Sequence, residues 1–72
     1  MTQLINQAVH VRFHGRSEEL TMSTLQLTSR ATDAQIKQAL TRYFDLPAST
    51  FVYHVIIRTS QAIIVRPEAI YG

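Results

Sequence analysis

Thr32-Asp33-Ala34-Gln35-Ile36-Lys37-Gln38-Ala39-Leu40-Thr41-Arg42-Tyr43-Phe44 is the one stretch of this chain that reads as a helix. Ile36, Ala39, Leu40, Tyr43 and Phe44 recur at spacings of three and four, the period of one helical face. Lys37, Gln38, Thr41 and Arg42 take the remaining positions. Thr32 followed three residues later by Gln35 is a capping-box pattern, in which each side chain serves the other residue's backbone N–H. Asp33 places a carboxylate in the first turn, where the helix dipole favours an anion. Pro47 disfavours helical backbone at Leu46, so the helix stops before it, after roughly 18 Å at 1.5 Å per residue.

On either side of this helix the period changes to two. Over 7–14, Val9, Val11 and Phe13 alternate with His10, Arg12 and His14, the pattern of a half-buried strand. Gly15 and Ser17 interrupt it as a turn would. A second strand is expected over 20–28. There Leu20 and Met22 share one phase and Leu25 and Leu27 the other, so a bulge is expected at Ser23-Thr24. After the helix, 50–58 is rich in β-branched and aromatic residues. Phe51, Tyr53, Val55 and Ile57 fall on one face and Val52, His54 and Ile56 on the other, the two-sided pattern of a central strand. Thr59-Ser60-Gln61 is a loop, 62–66 returns as its hairpin partner, and Pro67 ends the pairing for want of a backbone donor.

The order is strand, strand, helix, strand, strand: an α+β chain of the form ββαββ. One sheet face is expected to bury Val9, Val11, Phe13, Phe51, Val55 and Ile57 under Ile36, Leu40 and Phe44. Residues 1–72 are expected to form a single domain with a short tail at 68–72, since 72 residues suffice for one domain and no more. A domain of this size buries only about 60% of the surface its unfolded chain exposes, which leaves little core to enclose a deep catalytic pocket. Cysteine is absent, so disulfides and thiolate metal sites are excluded. The hydrophobic fraction of 46% is that of a globular protein. Seventeen per cent charged residues is too few for a disordered chain. A net charge of +2 is weak for a nucleic-acid binder. No apolar run is long enough to span a membrane, and 1–7 lacks a positive charge ahead of an apolar run, so a cytoplasmic protein is expected.

Nothing in the chain assembles a catalytic set, and it is not expected to be an enzyme or to carry a cofactor. No Ser lies in a Gly-x-Ser-x-Gly turn, and Gly15 and Gly72 alone cannot build a phosphate loop. Glu18 and Glu19 are neighbours in an extended segment and point to opposite sides. His10, His14 and His54 are too scattered for a zinc site without cysteine, so no metal is expected.

The order of elements resembles the β-grasp domain of ubiquitin-like proteins, over almost the whole chain and mostly as topology. Thr32-Asp33-Ala34-Gln35-Ile36-Lys37 looks like the capped start of a ubiquitin-like helix. Ala62-Ile63-Ile64-Val65-Arg66-Pro67, followed by a terminal glycine, is similar to the end of the sulfur-carrier branch. Those families end in Gly-Gly, whereas this sequence ends in Tyr71-Gly72. The resemblance implies one helix packed on a four-stranded mixed sheet, with the last strand between the first and the third. It also implies a protein modifier or carrier whose Gly72 carboxylate, presented with Tyr71, is activated by an ATP-using partner enzyme. A glycine there gives the backbone freedom that threading into a narrow channel requires.

A second expectation concerns the outer sheet face. Alternation assigns it His10, Arg12 and His14 from the first strand, Val52, His54, Ile56 and Arg58 from the third, and Ala62, Ile64 and Arg66 from the last, with Arg12, Val52, His54, Ile56, Arg58, Ile64 and Arg66 as the contact patch. An apolar centre with a basic rim looks like the patch through which ubiquitin-like proteins meet partners. A non-conjugated interaction module, homo- or hetero-oligomeric, is therefore the alternative function. Weak nucleic-acid binding through Arg12, Arg58 and Arg66 is the third and least favoured.

Overall fold

The computed structural model describes residues 7–68. Its elements are β1 (Ala8–Phe13), β2 (Arg16–Thr21), α1 (Asp33–Phe44), a 3₁₀ turn (Ala48–Phe51), β3 (His54–Arg58) and β4 (Ala62–Pro67). The strands form one sheet in the order β2-β1-β4-β3. β1 runs antiparallel to β2 and parallel to β4, and β3 runs antiparallel to β4. This is an α+β β-grasp arrangement, ββαββ with one helix on a four-stranded mixed sheet, and at the level of topology it is the ubiquitin-like one.

The helix forms where its sequence pattern puts it. The Gln35 N–H donates to Thr32 Oγ1 at 3.1 Å, and the Thr32 N–H donates to Gln35 Oε1 at 2.9 Å, completing the capping box. At the other end Asp45 adopts a left-handed conformation (φ 56°), and the Leu46 N–H closes the last turn on the Thr41 carbonyl at 2.8 Å. Ile36, Ala39 and Leu40 are buried against Val9, Val11, Phe13, Ile63 and Val65. Phe44 stacks obliquely on Phe13 at 4.8 Å between ring centroids. Tyr43 departs from the expected apolar face and is half exposed, because only three of the five positions lie squarely over the sheet.

Three strands differ from expectation. β4 runs to Pro67 rather than stopping at residue 66: Pro67 pairs with His54, and the Glu68 N–H still donates to the Tyr53 carbonyl, because the proline nitrogen is turned away from β3. β2 is Arg16–Thr21 rather than 20–28, and the supposed bulge at Ser23-Thr24 lies in a turn. His14 and Gly15 both take positive φ (51° and 74°), as the tight two-residue hairpin turn demands. That turn pairs Phe13 with Arg16 and starts β2 four residues early. As an edge strand β2 needs little apolar surface, which is why no alternation announced it. Beyond it Met22 and Leu25 reach the core from the turn, where Leu25 N–H donates to the Thr21 carbonyl and Leu27 N–H to that of Met22.

β3 begins at His54 rather than at residue 50, and it lies at the sheet edge, with β4 between it and β1 as the β-grasp resemblance implies, rather than in the middle as its two-sided apolar pattern suggests. Phe51 is buried as expected, but from the 3₁₀ turn. Beyond Val52 and Tyr53 the phase is opposite to the expected one. Ile56 pairs with buried Val65 and packs on the core, whereas Val55 and Ile57 pair with Arg66 and Ile64 and face outward. A one-residue slip exchanges the faces of a strand, and a strand apolar on both sides gives no preference between them.

Candidate functional site

The outer face of the sheet is built as three rungs across the strands. The first carries Thr21, Ala8 and Ala62. The second carries Glu19, His10, Ile64 and Ile57. The third carries Ser17, Arg12 and, one residue beyond the Val11–Val65 pair, Arg66 with Val55. Ala62, Ile64, Val55 and Ile57 form an aliphatic strip over β4 and β3. Beside it His10, Arg12, Ser17, Glu19 and Ile64 line an open depression of about 320 Å³.

The electrostatics of this face are lopsided. His10 Nδ1 lies 3.8 Å from Glu19 Oε1. Arg12 and Arg66, adjacent on neighbouring strands, enter no ion pair among the described residues. Like charges side by side in a sheet oppose each other, and a carboxylate from outside would relieve that repulsion. The strand residues of this face include no Phe, Tyr or Trp, and His10 is the one ring among them. Among the described residues, no three His, Asp or Glu side chains gather to hold a metal. Among the described residues no helix is long and apolar enough to cross a membrane.

Of the residues the sequence assigned to this patch, Arg12, Ile64 and Arg66 lie on it together. His54, Ile56 and Arg58 do not, for the reason of phase given above, and Val52 does not because it precedes β3. Val52 is exposed in the turn before β3, beside a gap between the 3₁₀ turn and Ala34, Lys37 and Thr41 of the helix. Arg58 points to the helix side, where its guanidinium donates to the Ala31 carbonyl at 3.0 Å and pairs with Asp33 at the helix start. Val55 and Ile57 take the places that the missing four would have held. A signal for this was present: a two-residue loop at Ser60-Gln61 pairs Thr59 with Ala62, and hence Ile57 with Ile64, on one face. Tyr71 and Gly72 lie outside the described residues.

His54 has a different task. The Met22 N–H to Gln7 carbonyl bond shows that odd-numbered β1 residues aim their backbone at β2, so the Arg12 carbonyl faces β4. The Glu68 N–H to Tyr53 carbonyl bond shows that even-numbered β4 residues face β3, so the nitrogen of Pro67 faces β1. In the parallel ladder the residue at 67 would donate to the Arg12 carbonyl, and proline has no proton to give. The ladder accordingly ends at Val11–Val65. His54 Nε2 stands 2.8 Å from the Arg12 oxygen and supplies the missing donor, which requires the proton on Nε2. Its ring is held edge-on by Phe51 at 4.8 Å. β4 lies between His10 and His54, and their rings are on opposite faces.

Comparison of the chain with protein-family models, curated proteins and solved structures returns no match.

Proposed function

We propose that this protein is a β-grasp protein-interaction domain that meets its partner with the outer sheet face. The observation that carries this reading is the pairing of an aliphatic strip, Ile64 with Val55 and Ile57, with two adjacent guanidiniums, Arg12 and Arg66, that enter no ion pair among the described residues. The partner that fits is a protein surface offering aliphatic side chains next to one or two carboxylates. Apolar contact supplies the affinity, and the charges supply steering and register. The test is a quantitative capture from the source cell with the protein and its Ile64→Glu and Arg12→Glu/Arg66→Glu variants, each shown to be folded by circular dichroism. Partners held by the parent and lost from both variants support the face. A partner set unchanged in both removes it. Loss of captured nucleic acid on raising salt, with protein capture unaffected, moves the function to the third class.

A second reading is favoured by the β-grasp order itself: Gly72, with Tyr71, is activated at its carboxylate by an ATP-using enzyme as an acyl-adenylate and passed on as a modifier or sulfur carrier. Its test is denaturing capture followed by mass spectrometry, with and without Gly72. Adducts on lysine bearing a Tyr-Gly remnant, or a terminal sulfur gain, that vanish with Gly72 support it. Identical species from both versions overturn it.

A further inference from the structure

The free edge of β3 has a surface and a hydrogen-bond pattern that a second copy of itself completes. Among the described residues β3 is paired on one side only. The bonds from the Thr59 N–H to the Ala62 carbonyl and from the Glu68 N–H to the Tyr53 carbonyl fix the phase of the β3–β4 ladder. Odd-numbered residues of β3 aim their backbone groups at β4, so the N–H and C=O of His54, Ile56 and Arg58 aim at the open edge. Such an edge invites another strand unless something blunts it.

The two edges of this sheet are treated differently. β2 carries Arg16, Glu18 and Glu19 among its six residues. β3 reads His-Val-Ile-Ile-Arg, with three consecutive aliphatic residues and no proline. Among the described residues the exposed large hydrophobic side chains are Tyr43, Val52, Tyr53 and Ile57, and three of these four lie in or just before β3. The two polar ends of β3 are turned away from the edge. His54 is held by the Arg12 carbonyl, and Arg58 by Asp33 and the Ala31 carbonyl. Asp33 neutralises Arg58, so it does not repel a second copy.

The geometry points to a homodimer formed by antiparallel pairing of β3 with β3 of a second copy, about a two-fold axis at Ile56. In this register Ile56 faces itself and His54 faces Arg58 of the other copy. The residues with free backbone groups thus meet one another, as an antiparallel ladder requires. Val55 then lies beside Ile57 of the second copy on the outer face, and the aliphatic strips of the two copies become one. The contact is closed and self-complementary, whereas pairing β3 with the charged edge β2 of another copy would propagate into a filament. The paired stretch from Tyr53 to Thr59 is roughly 24 Å long at 3.4 Å per residue. It involves far fewer residues than the roughly 20–30 a side of a standard interface, so the dimer is a weak one that dissociates on dilution. Val55 and Ile57 belong to both surfaces, whereas Ile64 belongs to the outer face alone and lies outside the paired edge, so Ile64→Glu separates this inference from the outer-face reading.

The test combines sedimentation across micromolar to millimolar protein with sulfur cross-linking. The chain has no cysteine among the described residues or elsewhere in its sequence, so an introduced pair reports without background. The expected result is a mass moving from 8.2 kDa toward twice that value as concentration rises. Ile57→Lys and Tyr53→Lys, both at exposed positions, should each weaken the dimer at least tenfold, and Ile64→Glu should leave it unchanged. A Val55→Cys/Ile57→Cys variant should oxidise to a covalent dimer, because those positions face each other at a non-hydrogen-bonded pair with Cα atoms about 4.5 Å apart. Ser17→Cys on β2 should not. A mass of 8.2 kDa throughout overturns the inference, as does a dimer lost with Ile64→Glu but kept with Ile57→Lys, which would mean face-to-face packing. Capture of another protein's strand by a chain that stays monomeric at millimolar concentration would equally overturn it.

Discussion

The two hairpins of this protein share a plan and differ in how they finish it. Each contributes a central strand, β1 or β4, and an edge strand, β2 or β3. The central strands are alike: Val9, Val11 and Phe13 alternate with polar residues, and Ile63 and Val65 alternate with Ile64 and Arg66. The edges are opposites. β2 is tied to β1 by the tight His14-Gly15 turn and carries an internal Arg16–Glu18 pair. β3 hangs on β4 and on Phe51, which drops into the core from the 3₁₀ turn beside Phe13. One hairpin is organised by local turn geometry, the other by long-range contacts.

The sharpest way to break the contrast is Phe51→Ala. The ring is 1% exposed, so its loss costs about 3–5 kcal/mol by the usual figures for a buried phenylalanine. That is comparable to the entire stability of a small domain, and urea titration should show a largely unfolded protein. Leu20→Ala on β2, where the side chain is only partly buried, should cost markedly less and leave a cooperative transition.

Next comes the His54–Arg12–Pro67 arrangement. His54→Ala leaves the Arg12 carbonyl without its donor and should cost about 1–2 kcal/mol. Pro67→Ala restores a backbone N–H facing that carbonyl. In the Pro67→Ala background the His54→Ala change should therefore cost measurably less, by about 1 kcal/mol in a double-mutant cycle. Additive effects would show that the imidazole does not stand in for the ladder bond.

Gly15→Ala probes the other hairpin. Apart from its two chain neighbours, no described residue lies within 4 Å of where its Cβ would sit, so the penalty is that of a non-glycine residue at φ +74°, roughly 1 kcal/mol. Thermal unfolding should register it, and a larger loss would mean that the turn also governs packing. The smallest effect belongs to Arg58→Met. Its ion pair with Asp33 is well exposed on both sides, so a change within about 1 kcal/mol is expected. The helix N-terminus should stay formed, because Thr32 and Gln35 cap it independently.

These differences explain which parts of the candidate site were legible. Arg12, Ile64 and Arg66 lie on central strands, where burial on one face imposes strict alternation, and counting from Val9 or Val65 places them. Val55 and Ile57 were not placed, because Val55-Ile56-Ile57 is aliphatic on both faces and Phe51 suggested the opposite phase. His54 could be recognised as polar in an apolar run. Its partner, a carbonyl 42 residues away, came into reach only when β4 brought Pro67 beside β1.

The sequence by itself determined the helix, its cap, the inward faces of β1 and β4 and the ββαββ order. Each of these follows from a period or a spacing written within a dozen residues. Only the tertiary structure decided where β2 starts, where β3 starts, and which of β3's two apolar faces turns outward. Those outcomes depend on register between strands distant in sequence, and register is set by pairing and burial that no single segment contains.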